Sequence, residues 1–484
     1  MAYSVRRNLA WMSIAQGGLL ITQFAGSVVL ARLLTPHEMG IAAIAYALVA
    51  VLSILRANGL SALLIRDPDL TPEVTATAFT VNILVSVITS AAIIGLSGLA
   101  STSLGNPGVR RVLTILAVIP ILGILEFLPA AQLERAGNFR PIAMVNLLKS
   151  AVTTAVTIIL ALSGFSYMSI AWGSVSNALV SIVCLNMIGW RFVSLRPGLR
   201  QLRRVLRFAM QMLSITVIGN VASRMSELLL GRLIGLDALG LYSRASGLND
   251  LLWSNVHLVI GRIVFVDLAD RFRQGLPIQD VYLKIVAIIT GLLWPAFAGM
   301  AVLAAPIIYR IYGPNWGGAG IPFALLSLAS LVLSSATMAG EVYMTSNRMD
   351  RLLRFEVKRA ATSLVLFTLG CLNGLNWAAG ARVAEAVATV AYCRSDLQAI
   401  SGTNIGDYLK IYAQAALLTV LACAPATLLM TAYGWAAEAP LLPLFFGIAG
   451  GVVLWLIGLR VLNHPLLHEI DQLVRHLLGA RSGQ

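Results

Sequence analysis

The chain reads as a succession of long apolar runs broken by short polar segments. A membrane-spanning helix needs about 20 predominantly apolar residues. Fourteen such segments are predicted, at 9–33, 40–64, 74–99, 111–133, 142–163, 167–190, 207–234, 240–265, 283–308, 320–345, 353–374, 376–395, 409–432 and 440–462. The eighth is the most polar of them. The opening MAYSVRRNLAWMSIAQGG places Arg6-Arg7 before an apolar run, as a signal peptide would. That run is far longer than a signal h-region and has no small-residue cleavage site, so it reads as a first spanning helix.

Charge between the runs sets an orientation. With the N-terminus in the cytoplasm, the loop after the sixth segment is inside and holds Arg191, Arg196, Arg200, Arg203, Arg204 and Arg207. The loop after the tenth is also inside, with Arg348, Arg351, Arg354, Lys358 and Arg359. The outside loops at Gly164-Phe165-Ser166 and Asn373-Gly374-Leu375 carry no charge, and the one near Arg310 carries one; Arg110-Arg111 breaks the pattern. With an even number of spans, the positive-inside rule therefore predicts both termini in the cytoplasm. Within 198–208, GLRQLRRVLRF, residues Leu199, Leu202, Val205 and Leu206 share one face and the arginines another. Such a segment is expected in the cytoplasmic interface against anionic headgroups. LLHEIDQLVRHLLG from Leu466 has the same character.

The order of elements repeats. ARLLTPHEMGIAAIAYAL from Ala31 aligns with GRLIGLDALGLYSRASGL from Gly231 at an offset of 200, with identities at Arg32/Arg232, Leu33/Leu233, Gly40/Gly240, Ala45/Ala245 and Leu48/Leu248. The inside loops LERAGNFRPIAMVNLLKS from Leu133 and MTSNRMDRLLRFEVKRAA from Met344 match in kind. Two six-helix halves of equal orientation are an architecture used by transporters. The expected organisation is an N-terminal lobe over 1–195, an amphipathic linker over 196–208, a second lobe over 209–400, two added helices over 401–462 and a cytoplasmic tail over 463–484.

Composition agrees. Of 484 residues 58% are hydrophobic and 12% charged, half the roughly 25% of soluble domains. The net charge of +14 sits in short loops, so orientation and anionic lipid account for it and no nucleic-acid partner is implied. Cys184, Cys371, Cys393 and Cys423 lie in or beside apolar segments without CxxC spacing and read as packing residues. His464 and His468 stand at helical spacing and are expected on a solvated face. No Walker A sequence, HExxH or nucleophile–base constellation is present, so neither enzymatic chemistry nor a metal or cofactor is expected.

Charges inside a span cost roughly 2.5–3.5 kcal/mol each and need a partner or a wet cavity. They include Arg56, Glu126, Lys149, Arg224, Glu227, Arg244, Asp250, His257, Arg262, Glu341, Arg382 and Glu385. Polar stripes accompany them: Ser13, Gln16 and Gln23; Tyr46, Ser53 and Arg56; Asn146, Lys149, Thr153 and Thr157; and Ser243, Ser246, Asp250, Ser254, His257 and Gly261. Each stripe has two readings, a water-filled cavity wall or a helix–helix contact. Glu126 and Lys149 also have a reading as an ion pair between neighbouring helices. Pro120, Pro129, Pro295, Pro306 and Pro425 are expected to bend or break their helices.

LARLLTPHEMG (from Leu30), GLSALLIRDPDLTPE (from Gly59), TAFTVN (from Thr77), LERAGNFRP (from Leu133), SGFSYMSIAWG (from Ser163), LGLYSRA (from Leu239) and GPNWGGAGIPFALLSLA (from Gly313) occur in order over about 10–360. In these the chain resembles the polysaccharide transporter, or Wzx-type oligosaccharide flippase, family. That family belongs to a superfamily shared with multidrug/cation antiporters and the peptidoglycan lipid flippase. WSNVHLVIGRIVFVDLADRF in the eighth segment departs from the usual proline-containing version.

The resemblance implies an all-α membrane protein of two six-helix lobes around a central cavity, working by alternating access. It implies export of an undecaprenyl-diphosphate-linked oligosaccharide for exopolysaccharide, capsule or O-antigen across a bacterial inner membrane. Its partners would be that anionic lipid-linked saccharide, membrane lipids, and a polysaccharide polymerase and co-polymerase. A diphosphate suits the planar guanidinium fork, so Arg56, Arg224, Arg244 and Arg262, with Lys149, are the candidate headgroup cations. Asp250, Glu227 and Glu126 are the candidates for ion coupling. Arg224 and Glu227, at i,i+3, also have a reading in which they neutralise each other. A multidrug antiporter of the same superfamily would want a carboxylate-rich cavity. A polymerase or ligase would need a large outside loop, and a major-facilitator symporter a basic Gly-Asp motif where this chain reads LLIRDPDLTPE.

Overall fold

The computed structural model describes the backbone of residues 2–57, 59–67, 70–137, 139–189 and 197–471, without the side chains of 2–15, 54–57, 59, 66, 209, 211–220, 255–267 and 269. The described regular structure is helical throughout, in two compact units, Met1–Gly240 and Leu241–Gln484.

Unit 1 contains α1 (Ala2–Leu33), α2 (Pro36–Ala57), α3 (Gly59–Arg66), α4 (Pro72–Leu104), α5 (Pro107–Leu116), α6 (Val118–Arg135), α7 (Phe139–Leu162), α8 (Met168–Ile188) and α9 (Leu202–Leu233). Helix α10 (Leu236–Gln274) crosses the boundary. Unit 2 holds the rest of α10, then α11 (Gln279–Val302), α12 (Ala304–Tyr312), α13 (Gly320–Leu333), α14 (Ala339–Thr345), α15 (Met349–Leu372), α16 (Leu375–Ser401), α17 (Ile405–Ala432) and α18 (Leu441–Val461). All fourteen predicted runs fall on helices, but nine described stretches are long and apolar enough to cross a membrane by length and composition. That count is of the described residues alone, and it does not establish fourteen crossings.

Several predicted single segments are two helices, and proline explains where two of them break. Pro120 is the third residue of α6 and Pro306 the third of α12, each just after a break at Ala117 and Leu303. A proline ring excludes the carbonyl four residues back and offers no N–H, so continuing either preceding helix through it is unfavourable. Pro129, Pro295 and Pro425 lie inside α6, α11 and α17. Helix starts carry ordinary caps. Thr71 Oγ1 accepts the Val74 N–H ahead of Pro72, and Asn404 and Asp407 form a reciprocal capping box.

The polar connections of unit 1 gather at two opposite sets. In one, Asn106, His37, Glu38, Ser166 and Asp237 meet: His37 Nδ1 lies 2.9 Å from Asp237 Oδ2, Asn106 Nδ2 lies 3.1 Å from His37 Nε2, and Ser166 donates to Glu38. In the other, Arg135 donates to the carbonyls of Leu64 (2.8 Å) and Asp67 (2.6 Å), and Arg204 clamps the Asp67 carboxylate at 2.8 and 3.0 Å. Helix α9 packs on α2, α3 and α4 within unit 1. Its first turns do not present the single apolar face that the linker sequence suggests. Val205 is buried among Leu60, Leu63, Leu64, Val74 and Ala78, whereas Leu199, Leu202 and Leu206 are exposed.

In unit 2, α11 is central, packing on α13 and α17, with Tyr282, Val286, Leu293 and Phe297 in a core shared with Tyr343, Leu397 and Tyr408. The expectation of a solvated His464 is corrected here: the side chain is 1% exposed. Gly291 on α11 leaves the space it fills; an added Cβ would lie 2.6 Å from the imidazole. Trp455 donates to the Gly291 carbonyl at 3.0 Å, and Lys284 pairs with Glu469 at 2.8 Å, fastening the segment after α18 onto α11. Cys371, Cys393 and Cys423 are buried and Cys184 half-buried, all as free thiols.

Candidate functional site: polar helix faces within the spans

Helix α10 has two unlike sides. Tyr242, Ala245 and Asn249 point into unit 2, and Asn249 Nδ2 donates to Ser330 Oγ on α13 at 2.7 Å. Gly247, Asp250 and Ser254, spaced by three and four residues, are exposed. Ser254 turns its hydroxyl onto the Asp250 carbonyl (2.7 Å) and Ser246 onto that of Ser243 (3.2 Å), so the helix satisfies its own hydroxyls. Lipid tails do not tolerate a carboxylate, so at membrane depth such a face requires water or a polar neighbour. Arg244 is half-buried on the same helix. The side chains of Arg262 and His257, like that of Arg56 on α2, lie outside the described residues.

In unit 1 the pair predicted on α9 forms. Arg224 Nη1 donates to both Glu227 oxygens, at 2.8 and 3.1 Å, with the side chains 43% and 24% exposed. Both bonds leave from Nη1. A guanidinium has five N–H donors, so Nε and Nη2 remain for a second anion. In a membrane span such a pair would lower the cost of a cation without using up its forked donor edge. Gln16 and Gln23 on α1 are also exposed. Lys149 on α7 and Glu126 on α6 are each half-buried. Among the described residues no ion pair joins them.

Two other polar stripes serve packing. Tyr46 shares a hydrogen bond with Ser174 and donates to the Ile170 carbonyl at 3.2 Å, both on α8. Asn177 of α8 donates to Thr153 Oγ1 at 3.0 Å, while Thr153 and Thr157 donate to the carbonyls of Lys149 (2.6 Å) and Thr153 (2.7 Å). Gly173 lies directly opposite Thr157, where a Cβ would stand 1.9 Å from the hydroxyl. Helices α7 and α8 therefore meet through small and hydroxylated residues, as membrane helices commonly do.

Arg382 shows what a committed structural cation looks like. It donates to Tyr242 OH (3.0 Å), Ser363 Oγ (2.8 Å) and Glu385 Oε2 (2.6 Å), and its guanidinium lies 4.3 Å from the Phe367 ring centroid. Its side chain is 17% exposed. Nothing in the sequence separates Arg382 from Arg224, since both stand three residues before a glutamate. The difference lies in what the neighbouring helices supply.

The model of a family described as polysaccharide biosynthesis protein matches residues 29–320. The chain belongs to this family. Members of the polysaccharide biosynthesis protein family are thus the frame for the polar faces on α9 and α10, both of which fall largely within the matched stretch. The chain is 24% identical over 337 residues to the succinoglycan biosynthesis transport protein ExoT of Rhizobium meliloti (strain 1021), covering 69% of this chain and 67% of that one. It is 22% identical over 370 residues to the lipopolysaccharide biosynthesis protein WzxC of Escherichia coli (strain K12), covering 74% of each. Among solved structures it resembles the lipid II flippase MurJ in an inward closed conformation, with a TM-score of 0.75 at 13% identity over 93% of this chain and 98% of that one. A multidrug resistance MATE family transporter of the MOP superfamily, inward-facing, gives 0.62 at 12% identity over 80% and 96%. The chain therefore has an all-α membrane fold in common with these two solved structures, as the sequence resemblance implies.

Proposed function

We propose that this chain is a flippase that carries an undecaprenyl-diphosphate-linked oligosaccharide, the repeat unit of an exopolysaccharide, capsule or O-antigen, across the bacterial inner membrane by alternating access. Two relatives named for polysaccharide biosynthesis, one of them as a transport protein, support the substrate class. The observation that carries the reading is the open donor edge of Arg224. A cation kept in a span, half-neutralised by Glu227 and still presenting Nε and Nη2, is suited to a diphosphate that arrives and leaves. Arg244, Arg262, Arg56 and Lys149 are proposed as further headgroup cations, and Asp250, Glu227 and Glu126 as the groups through which an ion gradient is coupled.

The orientation proposed is both termini in the cytoplasm, with fourteen crossings arranged as two six-helix lobes and two added helices. The arginines of 200–207 and 348–359 then lie inside. No chemical step is assigned to the chain. A polymerase and a co-polymerase are proposed to act on the product after it crosses. The cellular test is depletion of the protein followed by radiolabelling of lipid-linked saccharides. Accumulation of complete repeat units on the lipid carrier supports the proposal. Normal turnover of the carrier with a loss of saccharide synthesis itself would contradict it.

A further inference from the structure

We propose that the first turns of α9 form a resident binding site for the phosphate headgroup of an anionic phospholipid. The site lies wholly in unit 1 and uses none of the residues of the polar faces described above. The arginines of this segment do different jobs. Arg204 is committed to Asp67, whose side chain is only 6% exposed, through two bonds of 2.8 and 3.0 Å. Arg200 is committed to Glu73 at 2.7 Å. The described ion pairs leave Arg203 and Arg207 without a carboxylate, although they stand one helical turn apart on the same row. Like charges so placed repel, and a phosphate between them turns that repulsion into attraction.

The backbone beneath them is fixed. The Gly198 N–H donates to Thr80 Oγ1 at 2.9 Å, and Val205 is fully buried against α3 and α4. Arg203 and Arg207 are thus presented from an anchored turn rather than from a free linker. With Gln201, Arg204 and Phe208 they line a cleft of about 540 Å³. The adjacent row of the same helix is apolar and uncovered: Leu202 is 36% exposed, Leu206 42% and Met210 62%. A cationic row beside an apolar row matches a molecule with a phosphate at one end and acyl chains at the other. A free anion would use only the first row, and a transported saccharide would have to leave both. These two rows favour a lipid that stays.

The test is lipid retention by the full chain, purified from nanodiscs holding equal phosphatidylglycerol and phosphatidylcholine and measured by native mass spectrometry. The expected result is preferential retention of phosphatidylglycerol that weakens as salt is raised. Arg203→Gln with Arg207→Gln should lower the preference by roughly fivefold per arginine, whereas Arg354→Gln, on α15 and not among the residues lining the cleft, should leave it unchanged. Equal retention of both lipids by the native chain overturns the proposal without any variant, as does native selectivity in the double variant. Displacement of phosphatidylglycerol by added polyprenyl diphosphate at matching concentration would assign the cleft to the transported lipid and overturn it too.

Discussion

Gly40 and Gly240 hold each other's helix by the backbone. A Cβ at Gly40 would lie 1.8 Å from the Leu236 carbonyl oxygen, and one at Gly240 would lie 1.9 Å from that of Pro36. Both contacts fall within unit 1, and both glycines stand four residues into a helix, α2 from Pro36 and α10 from Leu236. The offset of 200 seen in the sequence therefore returns as a reciprocal contact, with His37 and Asp237, another pair at that offset, hydrogen-bonded beside it. Gly40→Ala and Gly240→Ala should each destabilise by about 1–3 kcal/mol, read as a lower melting temperature in detergent. The two should combine non-additively, because one crossing is shared. Gly247→Ala, with open space at its Cβ, should stay within about 0.5 kcal/mol.

Asn249 and Asp250 are neighbours with opposite duties. Asn249→Ala removes the bond to Ser330 and should cost about 1 kcal/mol with transport retained in the folded fraction. Asp250→Asn keeps the shape and removes the charge, and should lower transport and its response to an ion gradient. The check is melting temperature beside uptake in the same vesicles. A stable, fully active Asp250→Asn protein would remove Asp250 from the coupling groups.

Replacing Arg224 by lysine keeps the charge and removes the forked donor edge. If Nε and Nη2 hold phosphate, Arg224→Lys should slow flipping about tenfold, the worth of one charge-assisted hydrogen bond. Glu227→Gln removes a proposed coupling carboxylate and should lower flipping and its response to an ion gradient. Flipping rates of the two variants, measured at equal protein density, decide this.

His464 gives a pH dependence with a definite sign. Burial lowers its pKa below the ordinary imidazole value, so the unfolded or undocked segment binds a proton more readily than the docked one. The stability contributed by the docked, neutral ring is complete above the ordinary value and falls as pH drops from there toward the lowered one. Nδ1 accepts the Leu466 N–H at 3.3 Å, which places the ring proton of the neutral form on Nε2. Hydrogen exchange in 464–471 should quicken at acidic pH in the native chain. In His464→Gln the rate, after correction for intrinsic exchange, should no longer depend on pH in that window.

The fold was legible because lipid imposes a simple pattern. Long apolar runs, uncharged turns at Gly164 and Gly374, and paired Gly40 and Gly240 are all visible along the chain. The breaks at Ala117 and Leu303 follow from Pro120 and Pro306, which the sequence marks as disruptive without saying whether they bend or cut. The site was less legible because stripes of Ser, Thr and Tyr look alike whether they line water or a neighbouring helix. Tyr46 and Thr153 turned to α8, whereas Asp250 and Ser254 stayed exposed. His464 was misjudged because its burial depends on Gly291, 173 positions earlier, leaving a socket that no local pattern records.

The central claim is that cations held within the spans serve a diphosphate passenger. The direct measurement is reconstitution into proteoliposomes loaded with a fluorescent polyprenyl-diphosphate saccharide, following quenching of the label by an impermeant reagent as the lipid changes leaflet. The account predicts fast exchange with the native chain and a loss of about tenfold or more with Arg224→Ala. Unchanged exchange in a folded Arg224→Ala protein, or native vesicles that flip no faster than empty ones, would contradict it.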